Sequence, residues 1–149
     1  MGNYVAQSDI DARLPGGYPE NYTSTKVAEE ISKYEAEVDT YVGVRYTVPV
    51  TSAAAPNSFK VLKGITSDLV YGTVLFELRQ VQGEEAQRFP SAIIARAYKK
   101  LEMISAGDLL LVDATANTDD PLTPDDGYGD LTTAEKANIT PIFTRGMEF

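Results

Sequence analysis

A change of period at Gly43 constrains this chain more than any other feature. Before it, Val27, Ile31, Tyr34, Val38, Tyr41 and Val42 step by three and four, the spacing that lines one face of an α-helix. After it, Val44, Tyr46, Val48 and Val50 alternate with Arg45, Thr47 and Pro49, a period of two that fits a short extended segment. Pro49 has no N–H to give to a sheet ladder, so the segment belongs at an edge or in a loop. A helix that runs into a glycine, an Arg-Tyr pair and a proline-stopped segment points to assembly and not to catalysis.

Three more helices are expected around this one. Ser8, a possible N-cap hydroxyl with the Asp11 carboxylate three residues on, is a variant capping box and predicts a short helix over 9–14, ended by Pro15, Gly16 and Gly17. The amphipathic helix itself is expected over 25–42, with Glu29, Glu30, Lys33, Glu35 and Glu37 mostly on its solvated or partner-facing side. Phe59, Leu62, Ile65, Leu69, Gly72 and Phe76 predict a third helix over 57–80, with Gly72 allowing a close helix crossing. Gly83 interrupts the pattern, Pro90 suits a first helical turn, and Ile93, Ile94, Ala97, Tyr98, Leu101 and Ile104 predict a fourth helix closed by Gly107. Leu109 to Val112 fits a buried strand or a last packing contact. The expected fold is mainly α: a small bundle of about four helices with short extended or β segments, a helical domain over 1–112 and a long C-terminal arm over 113–149.

Charge separates the two parts. The chain has 149 residues and a formal net charge of -9. Positions 1–112 hold 11 basic and 14 acidic side chains, whereas 113–149 hold 2 and 8. Neither part offers the basic stripe that non-specific nucleic-acid binding requires, and an acidic surface lets DNA pass without sticking. The same excess also fits a tail that only improves solubility. From Asp113 to about Ala137 the chain is rich in Asp, Thr, Pro and Gly, with few large apolar residues to offset the entropy of ordering it, and reads as a flexible arm. Apolar and aromatic residues return in Ile139, Ile142, Phe143, Met147 and Phe149, an end suited to docking. No apolar run of membrane-spanning length is present, and the N-terminus lacks a basic start and an apolar signal core, so neither membrane insertion nor secretion is expected.

Most catalytic designs are excluded by composition. Histidine and cysteine are absent, which removes Ser-His-Asp and Cys-His nucleophile systems, disulfides and the usual zinc sites. There is no phosphate-binding Gly-x-x-x-x-Gly-Lys loop, and Gly16-Gly17 lacks the spacing of a dinucleotide fingerprint. Asp119, Asp120, Asp125, Asp126 and Asp130 form the one carboxylate cluster, but neither Gly127 nor Gly129 occupies the sixth place of a calcium loop. No cofactor is expected. Asp39 and Arg45, at the end of the second helix, fit a structural ion pair or an interface contact better than an acid and a substrate clamp.

Three blocks together resemble the head-tail adaptor proteins of long-tailed bacteriophages, in the Mu-like branch. They are Tyr4 with Ser8 to Arg13, Glu37 to Pro49, and Phe143 to Phe149, and their order and spacing both fit. The likeness covers most of 1–112 and resumes at the last few residues, leaving 113–137 without a counterpart. It implies a small helical virion protein without enzymatic activity, made in the host cytoplasm. Its copies form a ring of about a dozen beneath the portal protein, extend the DNA channel and meet the next neck or tail-terminator protein. The likeness places Asp39, Arg45 and Tyr46 at the turn after the second helix. It places Ile142, Phe143, Arg145 and Phe149 in an arm that docks on a neighbour. DNA would pass without specific binding, and no membrane is involved. A tail-completion or stopper protein of the neck is the alternative, expected to show more strand pattern; a carboxylate-based metal enzyme ranks behind both.

Overall fold

In a computed structural model, which describes residues 4–14, 16–18, 22–79 and 84–117, the chain forms four helices. They are α1 (Gln7–Asp11), α2 (Ser24–Val42), α3 (Pro56–Arg79) and α4 (Glu84–Ala106). The fold is mainly helical, as expected. Among the described residues there is no strand, and β pairing is reduced to one isolated antiparallel bridge, Tyr46 to Ala116. The alternating segment after Gly43 therefore becomes a turn and a loop, with a cis peptide bond before Pro49.

α3 is the central element. It packs on α4 and on α2, these two also touch each other, and α1 lies across α2 and α3. The apolar steps of the sequence supply the core: Val27, Ile31, Val38 and Val42 from α2, Leu62, Ile65 and Leu69 from α3, and Ala97, Leu101 and Ile104 from α4. Each fully buried large aliphatic among them contributes about 1.5–3 kcal/mol relative to leaving it exposed. Val70 and Val74 are buried too, because a helix with neighbours on several sides needs a wider apolar surface than one stripe.

Gly72 lies in the contact between α3 and α4. A Cβ built there would sit 2.7 Å from Ile94 Cγ1 and 3.4 Å from the Pro90 carbonyl oxygen, so the crossing depends on a missing side chain.

Two boundaries differ from the sequence reading. α1 starts at Gln7, and Ser8 lies inside it instead of capping it. The Asp9 carboxylate accepts the Ala6 N–H at 3.0 Å, which moves the helix start toward the N-terminus. α4 starts at Glu84, so Pro90 lies inside the helix and not in its first turn. Proline has no N–H for the carbonyl four residues back, that of Ala86. The Arg79 guanidinium, arriving from the end of α3, donates to that oxygen at 3.5 Å, and its charge lies over the Phe89 ring at 5.6 Å. A contact from another helix thus helps to accommodate the break that the proline imposes.

α1 is fixed from outside. Arg13 donates to Ser67 Oγ at 2.8 Å and pairs with Asp68 at 2.9 Å while stacking over Tyr71, and Lys63 pairs with Asp9 at 2.9 Å. A five-residue helix is too short to hold itself in water, so these tertiary contacts and the burial of Ile10 keep it in place.

Candidate functional site

The end of α2, the loop after it, the end of α4 and the segment from Leu109 to Asn117 meet at one pole. Asp39, Arg45 and Tyr46 all lie there, each holding a different piece of chain. Asp39 accepts the Tyr4 hydroxyl at 2.5 Å, and the same hydroxyl oxygen accepts the Val50 N–H at 3.1 Å. Burial raises the Asp39 pKa against the effect of the Tyr4 hydrogen bond, with the nearby Glu35 charge adding to the rise. Burial, then the Asp39 contact, likewise pushes the Tyr4 phenol well above its ordinary value, which keeps it a donor.

Arg45 donates to the Ala106 carbonyl at 3.2 Å, a cation at the C-terminal end of α4 where the helix dipole favours positive charge. Gly107 makes room for it. Its φ is +89°, and a Cβ there would lie 2.3 Å from an Arg45 guanidinium nitrogen. Tyr46 is only 6 % exposed, and its hydroxyl oxygen accepts the Leu111 N–H at 3.1 Å. These side chains tie the loop to the N-terminal segment and to the chain that follows α4.

The first residues beyond 112 bind back to the helices. Asp113 accepts the Asn57 and Ser58 N–H groups at 2.8 and 2.9 Å and the Ser58 hydroxyl, so it caps the start of α3. Thr47 N–H donates to the Thr115 carbonyl, Asn117 N–H to that of Arg45, and the Asn117 side-chain amide to that of Gly43. The Ser58 hydroxyl, then the two backbone donors, holds the Asp113 carboxyl below its ordinary pKa. A depressed folded-state value means that the cap stabilises fully above the unfolded pKa of about 3.9 and is lost as pH falls through the folded value. Asp113→Ala is therefore expected to melt below the parent at pH 7, with the gap closing in thermal scans taken progressively below about pH 4.

Glu35 was expected on the solvated side of α2, yet it is 5 % exposed. Its carboxylate accepts the N–H groups of Tyr4 at 2.7 Å and Val5 at 3.0 Å, and the N-terminal segment folded over it excludes water. Glu35→Ala leaves both donors buried without that acceptor and is expected to cost about 2 kcal/mol in urea unfolding. Glu35→Gln, which keeps an acceptor oxygen, is expected to lose less.

Three apolar side chains at this pole escaped the sequence reading. Val44 is 43 % exposed, Leu110 62 % and Val112 92 %, and each adjoins a residue of the network, Arg45, Leu111 or Asp113. No sequence signal marks them, since 109–112 reads Leu-Leu-Leu-Val without alternation; only the fold buries Leu111 and packs Leu109 on the core while Leu110 and Val112 stay exposed. Ile142, Phe143, Arg145 and Phe149 lie outside the described residues, as does the Asp119 to Asp130 cluster. Among the described residues no group of three or more acidic side chains is placed to hold a metal ion, and no helix is long and apolar enough to cross a membrane.

Fold and site together define a small helical bundle, locked at one pole by its own N-terminal segment and by the chain beyond α4, with exposed aliphatics on the lock. The chain belongs to the bacteriophage Mu Gp36 family, whose description, Bacteriophage Mu, Gp36, it matches over residues 4–127. No curated protein and no solved structure gives a match. The family match continues past 112 into a stretch that had no recognised counterpart in the sequence reading. A Mu-like bacteriophage origin is thus supported for the chain.

Proposed function

We propose that this protein is a structural component of the phage neck, a head-tail adaptor whose copies form a ring under the portal. The ring extends the DNA channel and joins the capsid to the tail. The observation that carries the reading is the pole at which Val44, Leu110 and Val112 are exposed on a loop fixed by Asp39, Arg45 and Tyr46. Aliphatic side chains held outward by a rigid hydrogen-bonded frame lose little freedom on docking, which is what an assembly contact requires. Membership in a Mu phage family supports the virion setting. In this reading Asp39, Arg45 and Tyr46 act by presenting the loop to a neighbour or to the portal. Ile142, Phe143, Arg145 and Phe149 supply a second contact farther along the chain, and no catalytic group is needed. The net charge of -9 suits a channel through which DNA slides without binding.

Electron microscopy of purified particles tests this directly. Density for this chain is expected as a ring between portal and tail, contacting the next neck protein on its far side. Particles that lack the chain, or that carry it elsewhere, overturn the reading.

A further inference from the structure

Although the chain is acidic, one groove on its surface is basic. A groove of about 630 Å³ runs over α3 between α1 and α4, and Arg13, Lys60, Lys63 and Lys100 line it against only two carboxylates, Asp9 and Asp68. Both carboxylates are already engaged: Asp9 pairs with Lys63, and Asp68 with Arg13 and, at 3.5 Å, with Arg96. Lys60 and Lys100 have no ionic partner among the described residues. A surplus of cations thus lies in one concave place on a protein whose net charge is -9.

The same sequence contains a complementary segment. Between Asp113 and Glu135 there are seven acidic side chains and no basic one, and Asp119, Asp120, Asp125, Asp126 and Asp130 crowd the middle of it. Asn117, the last described residue before that segment, is tied to Gly43 and Arg45 at the end of α2. No residue of α2 or of the loop after it lines the groove. Exit and groove thus belong to different parts of the surface, the arrangement that lets one copy's segment reach another's groove head to tail.

We infer that the groove formed by Arg13, Lys60, Lys63 and Lys100 receives the Asp119 to Asp130 segment of an adjacent copy of this chain. The inference rests on the reading that copies assemble side by side, and it names the contact that joins them. DNA is the competing polyanion, but Asp9 and Asp68 inside the groove and the chain's net charge of -9 oppose phosphate, whereas a peptide can place its carboxylates between them. An electrostatic contact of this kind weakens with salt over the physiological range.

The test uses full-length chain, half of it labelled with nitrogen-15, mixed, concentrated and treated with a zero-length carboxylate-to-amine cross-linker. Mass spectrometry is expected to find heavy-to-light links from Asp119 to Asp130 onto Lys60, Lys63 or Lys100. The links should fall at least tenfold in 1 M NaCl; in a Lys60→Glu, Lys100→Glu double variant the links onto the retained Lys63 should fall as far, and adding Asp125→Lys and Asp126→Lys should give heavy-to-light links of reversed polarity, between positions 125 or 126 and positions 60 or 100. Links confined to one isotope assign the segment to its own chain and overturn the inference. So do links to other lysines, the absence of links, or duplex DNA binding that the double variant abolishes. Because Lys60 is exposed and Lys100 lies at the surface of the groove, a thermal scan of the variant is expected to match the parent; if it does not, the isotope pattern of the parent chain decides alone. Particles that contain the ring but lack these links defeat this contact and leave the adaptor reading standing.

Discussion

Gly72→Val is expected to destabilise the bundle by about 3 kcal/mol and to lower its melting temperature by roughly 10 °C. The cause is steric. The first added carbon would lie 2.7 Å from Ile94 Cγ1, inside any normal contact, and 3.4 Å from the Pro90 carbonyl oxygen. Branching at that carbon adds two methyl groups to the same crowded crossing. α3 and α4 share the largest interface of the fold, so moving them apart also loosens Leu69, Ala97 and Leu101. Gly72→Ala should be milder, since replacing glycine within a helix gains up to about 1 kcal/mol that partly offsets the clash. Ile94→Ala combined with Gly72→Val should recover much of the loss, because the two side chains compete for one space and their effects cannot add. Urea and thermal unfolding of the four proteins measure this. A Gly72→Val protein that melts with the parent would mean that the crossing tolerates a wider separation.

What the sequence made legible here is what periodicity encodes. The three- and four-residue steps through Val27, Val38 and Val42, through Leu62 and Leu69, and through Ala97, Leu101 and Ile104 place the correct faces inward, because each helix must bury one stripe and each stripe is local. Gly72 and Gly107 were legible for a similar reason, as glycines at a crossing and at a helix end. The misses share a different origin. Pro90 marks a boundary by local rules, but α4 runs through it, with Arg79 from another helix reaching the carbonyl left without an N–H. Glu35 has the spacing of a solvated residue, and only the fold brings the Tyr4 and Val5 donors over it. Asp113 caps a helix whose first bonded N–H, that of Asn57, lies 56 residues earlier, so no capping pattern in the α3 sequence announces it. At the candidate site Asp39, Arg45 and Tyr46 were recognisable as a joint. Their partners Tyr4, Ala106 and Leu111 are remote in sequence, and so is the knowledge that Tyr46 is buried while Val44 is exposed.

Removal of residues 118–149 is expected to leave the helical body folded and to reduce its incorporation into phage particles by more than tenfold. The position of the cut follows from the hydrogen bonds. Asp113 caps α3, Thr115 bonds to Thr47, and Asn117 bonds to Gly43 and Arg45, so a chain ending at Asn117 keeps all of these. A chain ending at Val112 loses the set and leaves the Asn57 and Ser58 N–H groups at the start of α3 without their acceptor, so it should melt clearly below the longer one. Comparing the two separates folding from assembly, which a cut at Asp113 would confound. The chain ending at Asn117 retains Val44, Leu110 and Val112, yet it lacks the acidic segment and Phe143, Arg145 and Phe149. If those exposed aliphatics alone drive assembly, that protein will still enter particles at the parental level, and the part assigned to the C-terminal residues is wrong. If the C-terminal residues supply the docking energy, it will remain a folded subunit in the lysate while particles accumulate without tails. Circular dichroism melts and quantitative mass spectrometry of purified particles distinguish these results. Restoring 118–137 without the apolar end then shows whether charge contacts suffice to recruit the subunit, or whether Phe143 and Phe149 must also bury their rings to offset the entropy of ordering the segment that carries them.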